Sequence, residues 1–155
     1  MKLALALVLV LLGYCTAVLF PFFPSQFTSD GVDNGCTSEI PLVGSFPFFG
    51  GDYTSYMVGY NGIVSFGGVC TPQGDAPNFP FSSSSPIVAP LWADTDYEVD
   101  VPGSNPASAI YYGSNTGPSP IDGIVTGFTA QEYIISTWFS APYFDDQVDK
   151  YNSFQ

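Results

Sequence analysis

Asp94, Asp96, Glu98 and Asp100 alternate with Thr95, Tyr97 and Val99, and in an extended strand alternate positions project onto one face about 6 to 7 Å apart. Like charges so placed repel, so the ladder must be solvated, twisted apart, partly protonated or neutralised by a cation. A structural Ca²⁺ takes about six to eight oxygens at roughly 2.3 to 2.6 Å. Asp94, Asp96 and Glu98 would begin such a set if the chain bends after Trp92. The competing expectation is a solvated acidic edge, which Pro102-Gly103 soon ends. An EF-hand is not the source, because the glycine of its sharp turn and its closing glutamate are missing.

The other acidic groups carry weaker signals. Asp30-Gly31-Val32-Asp33-Asn34-Gly35 consists mostly of ordinary turn residues. Asp145, Asp146 and Asp149 read as a solvated loop. Glycoside hydrolysis uses carboxylate pairs about 5 to 9.5 Å apart, a separation that Asp94 and Asp96 could meet by coincidence in a chain with 14 acidic residues. A serine or cysteine nucleophile would lack its usual base, since the chain has no histidine and its only cations are Lys2 and Lys150. Asp94-Thr95-Asp96 does not form the Asp-Thr-Gly turn of an aspartic protease. The residues therefore point to a binding module, not an enzyme. Tyr53, Tyr56, Tyr60, Trp92, Tyr111, Tyr112 and Trp138 offer either a sugar-stacking platform, as in a calcium-dependent lectin-like module, or a core.

The elements that would position these groups begin with an export signal. Lys2 supplies a positive start, Leu3 to Leu12 is an unbroken apolar run, and Cys15-Thr16-Ala17 ends in a small residue suited to cleavage. The run is shorter than the roughly 20 residues of a membrane span. Residues 1–17 are thus expected to be a signal peptide, residues 18–155 one secreted domain, and the fragment itself is not expected to insert into a membrane. Cleavage leaves Lys150 alone against all 14 acidic residues. That balance repels phosphate backbones and anionic headgroups, and no basic patch for nucleic acid can be built from it. The 14 Phe, 10 Tyr and 2 Trp supply more apolar surface than disordered chains carry.

With Cys15 removed, Cys36 and Cys70 remain, and in an oxidising compartment an even pair most simply forms one disulfide. Two free thiols or an intermolecular bond are the alternatives. Without histidine or a second cysteine pair, a zinc site lacks ligands.

Past the leader no stretch of ten or more residues has a helical apolar period, and in Ile121 to Thr129 the glycines Gly123 and Gly127 leave room for no more than one short turn. Tyr56 to Tyr60 and Ile63 to Phe66 flank Asn61-Gly62, the pair best suited to a type I′ hairpin turn. Pro86 to Ala93 reads as a buried strand whose prolines suit only an edge or bulge. Ala109 to Tyr112 and Tyr133 to Phe139 are further strands, with loops at 82–85, 103–106 and 115–120. Short strands, irregular loops and many aromatics predict an all-β fold, an antiparallel β-sandwich. Phe154 looks like the start of another strand, so further strands are expected beyond Gln155.

Several blocks resemble the NIDO domain, the extracellular module of nidogen, alpha-tectorin and mucin-4. They are Leu19-Phe20-Pro21-Phe22, Phe46-Pro47-Phe48-Phe49-Gly50 with Tyr53, Val58 to Phe66, Ile87 to Asp96, Ile110-Tyr111-Tyr112, Thr137-Trp138 to Tyr143, and Asn152 to Gln155. The resemblance implies a secreted module of cell-matrix adhesion or matrix organisation whose partners are extracellular matrix or cell-surface proteins. The Gly- and Pro-rich segment 117–129 departs from the more helical, charged stretch of that family, and Cys36 and Cys70 match no family disulfide.

Overall fold

The computed structural model describes residues 23, 26–27, 34–70, 85–97, 108–119, 122, 127, 129–144 and 147–155. Among them the regular elements are all strands: β1 (Gln26–Phe27), β2 (Ile40–Phe48), β3 (Gly51–Gly59), β4 (Ile63–Phe66), β5 (Ile87–Val88), β6 (Ala109–Asn115), β7 (Tyr133–Tyr143) and β8 (Gln147–Phe154). They form two antiparallel sheets, ordered β1-β6-β7-β8 and β2-β3-β4-β5. Tyr56, Val58, Val64 and Phe66 from one sheet, with Tyr60 of its β3–β4 loop, cluster with Ile110, Trp138 and Ala141 from the other, and Tyr97 joins them. The all-β expectation therefore holds, with a shared aromatic core between two layers. Burying each of these large apolar side chains stabilises the fold by about 1.5 to 3 kcal/mol.

The turn chemistry departs from the sequence expectation. Gly59 pairs directly with Ile63, Gly62 N–H donates to Gly59 O at 3.3 Å, and of the loop residues only Gly62 has positive φ, at 84°. This is a three-residue loop closed by a left-handed glycine, not a two-residue type I′ turn. The type I′ geometry lies instead between β2 and β3, where Phe48 pairs with Gly51 and both Phe49 (φ 45°) and Gly50 (φ 80°) are left-handed.

Pro86 to Ala93 is also not one buried strand. Only Ile87–Val88 pairs, at the outer side of β4, and Val88 to Leu91 are exposed. β7 runs past Phe139 because a bulge absorbs the irregularity: pairing with β8 shifts between Trp138 and Ala141. Ser140 takes φ 49° there, and its N–H donates to Ser153 Oγ at 2.9 Å.

The edge strand β2 is blunted in three ways. It carries Pro41 and Pro47, its register breaks between Pro41 and Phe46, and the carboxylate of Glu132 accepts the N–H groups of Val43 (3.0 Å) and Gly44 (3.1 Å). Such devices keep an edge from recruiting another chain.

Candidate functional site

Asn61 is 1% exposed, an unusual place for an amide, and its side chain joins three segments. Nδ2 donates to Asn34 Oδ1 at 2.7 Å, and Oδ1 accepts Thr95 N–H at 2.9 Å. Thr95 Oγ1 lies 3.0 Å from Tyr60 O and 3.2 Å from Asn61 Oδ1, so its one proton is shared. Asn61 O accepts Ala93 N–H at 3.3 Å. The loop that a hairpin turn would have left in solvent thus clasps the 91–97 segment. Gly62 is required beside it, because a Cβ at this position would overlap the Leu91 carbonyl oxygen and φ there is left-handed.

From the clasp, 91–97 reaches across to the second sheet. Thr95 bridges Tyr143, and Asp96 N–H donates to Pro142 O at 3.3 Å. Trp138, fully buried, donates from Nε1 to Gly59 O at 3.0 Å and stacks on Phe154 with centroids 5.0 Å apart. Behind the clasp, Cys36 bridges Gly59 and forms a disulfide with Cys70, with Cα atoms 6.3 Å apart. Closing a loop of 34 residues stabilises by about 3 to 4 kcal/mol in the chain-entropy model. Neighbouring bonds, Thr37 N–H to Val58 O at 2.9 Å and Val58 N–H to Thr37 Oγ1 at 3.0 Å, lock the same corner.

In front of the clasp lies an open cleft of about 600 Å³, lined by Leu91, Ala93, Asp94, Tyr143, Phe144, Lys150 and Asn152. One wall is the clasped segment and the other is the β7–β8 hairpin. Leu91, Tyr143 and Phe144 are exposed there, and Asn152 Nδ2 donates to Tyr143 Oη at 3.2 Å, orienting amide and phenol together. The lining mixes apolar and polar groups and is open to solvent along most of its extent.

The structure separates the sequence candidates. Asp94 and Asp96 are half-buried on either side of the buried Thr95, and Asp94 faces the cleft. Glu98 and Asp100 lie outside the described residues, as do Asp30, Asp33, Asp145 and Asp146. Among the described residues no group of three or more Cys, Asp or Glu is placed to hold a metal ion. Asp149 belongs to β8, not to a loop. Of the seven aromatics named as a platform, Tyr56, Tyr60, Tyr111 and Trp138 are buried and Tyr53, Trp92 and Tyr112 half-buried. Tyr97 is buried too, and burial pushes its hydroxyl well above the ordinary pKa. The aromatics that do face solvent near the cleft, Tyr143 and Phe144, were not candidates from the sequence. Their signal was an aromatic pair running directly into Asp145-Asp146.

The profile of the family described as "NIDO related" matches residues 21–129. The chain belongs to the NIDO-related family. Alpha-tectorin of Homo sapiens is 38% identical over 77 residues, which is 50% of this chain and 4% of that protein. Alpha-tectorin of Gallus gallus is 31% identical over 109 residues, 68% of this chain and 5% of that protein. The chain thus spans about one twentieth of the length of these curated relatives. No solved structure matches it. In this NIDO-related domain the clasp, Asn34, Asn61 and Thr95, falls inside the matched stretch, whereas the hairpin wall of the cleft lies beyond it. Among the described residues no helix is long and apolar enough to cross a membrane.

Proposed function

We propose that this NIDO-related domain is a secreted extracellular module that organises matrix or cell-matrix contacts through its protein-binding surfaces, without catalysis. Residues 1–17 act as its export signal and 18–155 as the exported domain. The observation that carries this reading is the family match over residues 21–129 with alpha-tectorin relatives. The Cys36–Cys70 disulfide supports it, because such bonds persist in oxidising compartments. So does the surplus of acidic groups, which favours partners with basic surfaces and keeps nucleic acid and anionic lipid away.

The test is expression of the whole chain in secretory cells. Medium containing a product that starts at Val18 with both cysteines oxidised, and that binds deposited matrix in a salt-sensitive way, is the expected result. Retention in the cytosol with the leader intact and both thiols reduced would refute the proposal.

A further inference from the structure

The cleft between Leu91–Asp94 and the β7–β8 hairpin combines three features that one class of ligand satisfies together. Its rim is aromatic: Phe144 is 64% exposed and Tyr143 43% exposed, and an aromatic ring left in water at the mouth of a cleft is a surface for a flat apolar face. Its polar groups differ in kind: the Asp94 carboxylate accepts, the Lys150 ammonium donates, and the Asn152 amide does both. Among the described residues its lining carries one carboxylate, Asp94, and one ammonium, Lys150, within a chain of net charge −12.

The charge balance selects the ligand. An anionic ligand meets the repulsion of the whole domain, and a cationic one, though drawn by that field, finds the carboxylate of the lining, Asp94, already offset by Lys150. A neutral ligand with an apolar face and a rim of hydroxyls fits both the rings and the mixed donors and acceptors. We propose that this cleft binds a neutral oligosaccharide, with Phe144 and Tyr143 stacking on a sugar face and Asp94, Lys150 and Asn152 bonding its hydroxyls. The Asn152–Tyr143 bond of 3.2 Å pre-orients two of these groups, and the Thr95–Tyr143 bridge fixes the floor. The site needs no metal and does not depend on the matrix-contact reading.

The experiment is ligand-observed saturation-transfer NMR on the whole chain in EDTA. The probes are N,N′,N″-triacetylchitotriose and lactose, both neutral, a uronic-acid disaccharide, and an uncharged tetrapeptide. Saturation transfer to a neutral sugar, weakened about tenfold by Phe144→Ala and by Lys150→Met with the fold intact, is the expected result. Phe144 is exposed enough that its truncation spares the core. The proposal fails if neither neutral sugar receives saturation, if the uronate or the peptide binds better, or if Phe144→Ala leaves sugar binding unchanged in a folded protein.

Discussion

Replacing Asn61 by alanine tests the clasp. The substitution leaves the Ala93 N–H to Asn61 O bond in place but removes both side-chain functions. Thr95 N–H, whose residue is 4% exposed, then loses its acceptor at 2.9 Å, and an orphaned buried donor costs about 1 to 3 kcal/mol. The lost 2.7 Å bond to Asn34 adds about 0.5 to 1.5 kcal/mol, less whatever water restores. Thr95 Oγ1 keeps Tyr60 O as acceptor. The expected loss is therefore about 2 to 4 kcal/mol, a large share of the roughly 5 to 15 kcal/mol that holds a domain folded. Urea unfolding followed by tryptophan fluorescence, with the disulfide intact, measures it as a fall in midpoint at constant slope. Asn61→Asp separates the two bonds: Oδ1 still accepts from Thr95, but the carboxylate faces Asn34 Oδ1 without a proton to donate. Its deficit should shrink as pH falls and the carboxyl protonates. A loss below about 1 kcal/mol for Asn61→Ala, or a deficit in Asn61→Asp that grows on acidification, would refute the clasp as a source of stability.

Two further outcomes follow from strain and burial. Phe49 is left-handed at φ 45° and 86% exposed; asparagine tolerates that backbone better, by about 1 kcal/mol. Phe49→Asn forfeits an edge contact with Phe48 from a side chain that is largely exposed, so the urea midpoint should rise, and a fall would show that the aromatic pair outweighs the strain. Tyr56 is fully buried, and its hydroxyl has no hydrogen-bond partner among the described residues. Burial, then the charges of Tyr112 and Glu132, raise its pKa above the ordinary 10.0. The unfolded chain therefore sheds this proton first, so its contribution is complete below pH 10 and falls as pH rises beyond it. Tyr56→Phe should be neutral or stabilising at pH 7. It should also flatten the alkaline decline by up to about 1.4 kcal/mol per pH unit, and an unchanged alkaline slope would contradict the burial argument.

Much of the architecture was legible because periodicity and aromatics reported it. β4 matches its sequence range, β3 starts five residues before its own and stops at Gly59, one short, and β6 extends its own by three residues. What escaped did so for identifiable reasons. β2 hides behind Pro41, Gly44 and Pro47, the residues that blunt it as an edge. β8, Gln-Val-Asp-Lys-Tyr-Asn-Ser-Phe, is polar enough to read as loop and is a strand because β7 pairs with it. Asn61-Gly62 carries the strongest local turn signal in the chain, but burial recruits the Asn61 amide into long-range bonds, and tertiary demand decides the loop. The acidic ladder was legible as a constellation, though not in its division of labour. Asp94 faces a cleft whose other wall is 49 or more residues away in the chain, a distance no local pattern encodes.

That division bears on how such a domain could vary its ligand. The clasped wall is held by Asn61, Thr95 and Gly62 within the family-matched stretch, where a change of side chain orphans a buried donor or strikes a backbone oxygen. The opposite wall is a hairpin whose Ser140 bulge takes up the irregularity of pairing and whose cleft residues, Phe144 and Lys150 among them, are largely exposed. Substitutions on that wall cost little stability, because exposed side chains far from caps and networks seldom change it by more than about 0.5 kcal/mol. Recognition can therefore change on one side of the cleft while the fold is carried by the other. The corresponding expectation is that Phe144→Ala and Asn61→Ala separate cleanly: the first weakens sugar binding about tenfold at wild-type stability, and the second removes stability first and binding only as the 91–97 wall loosens.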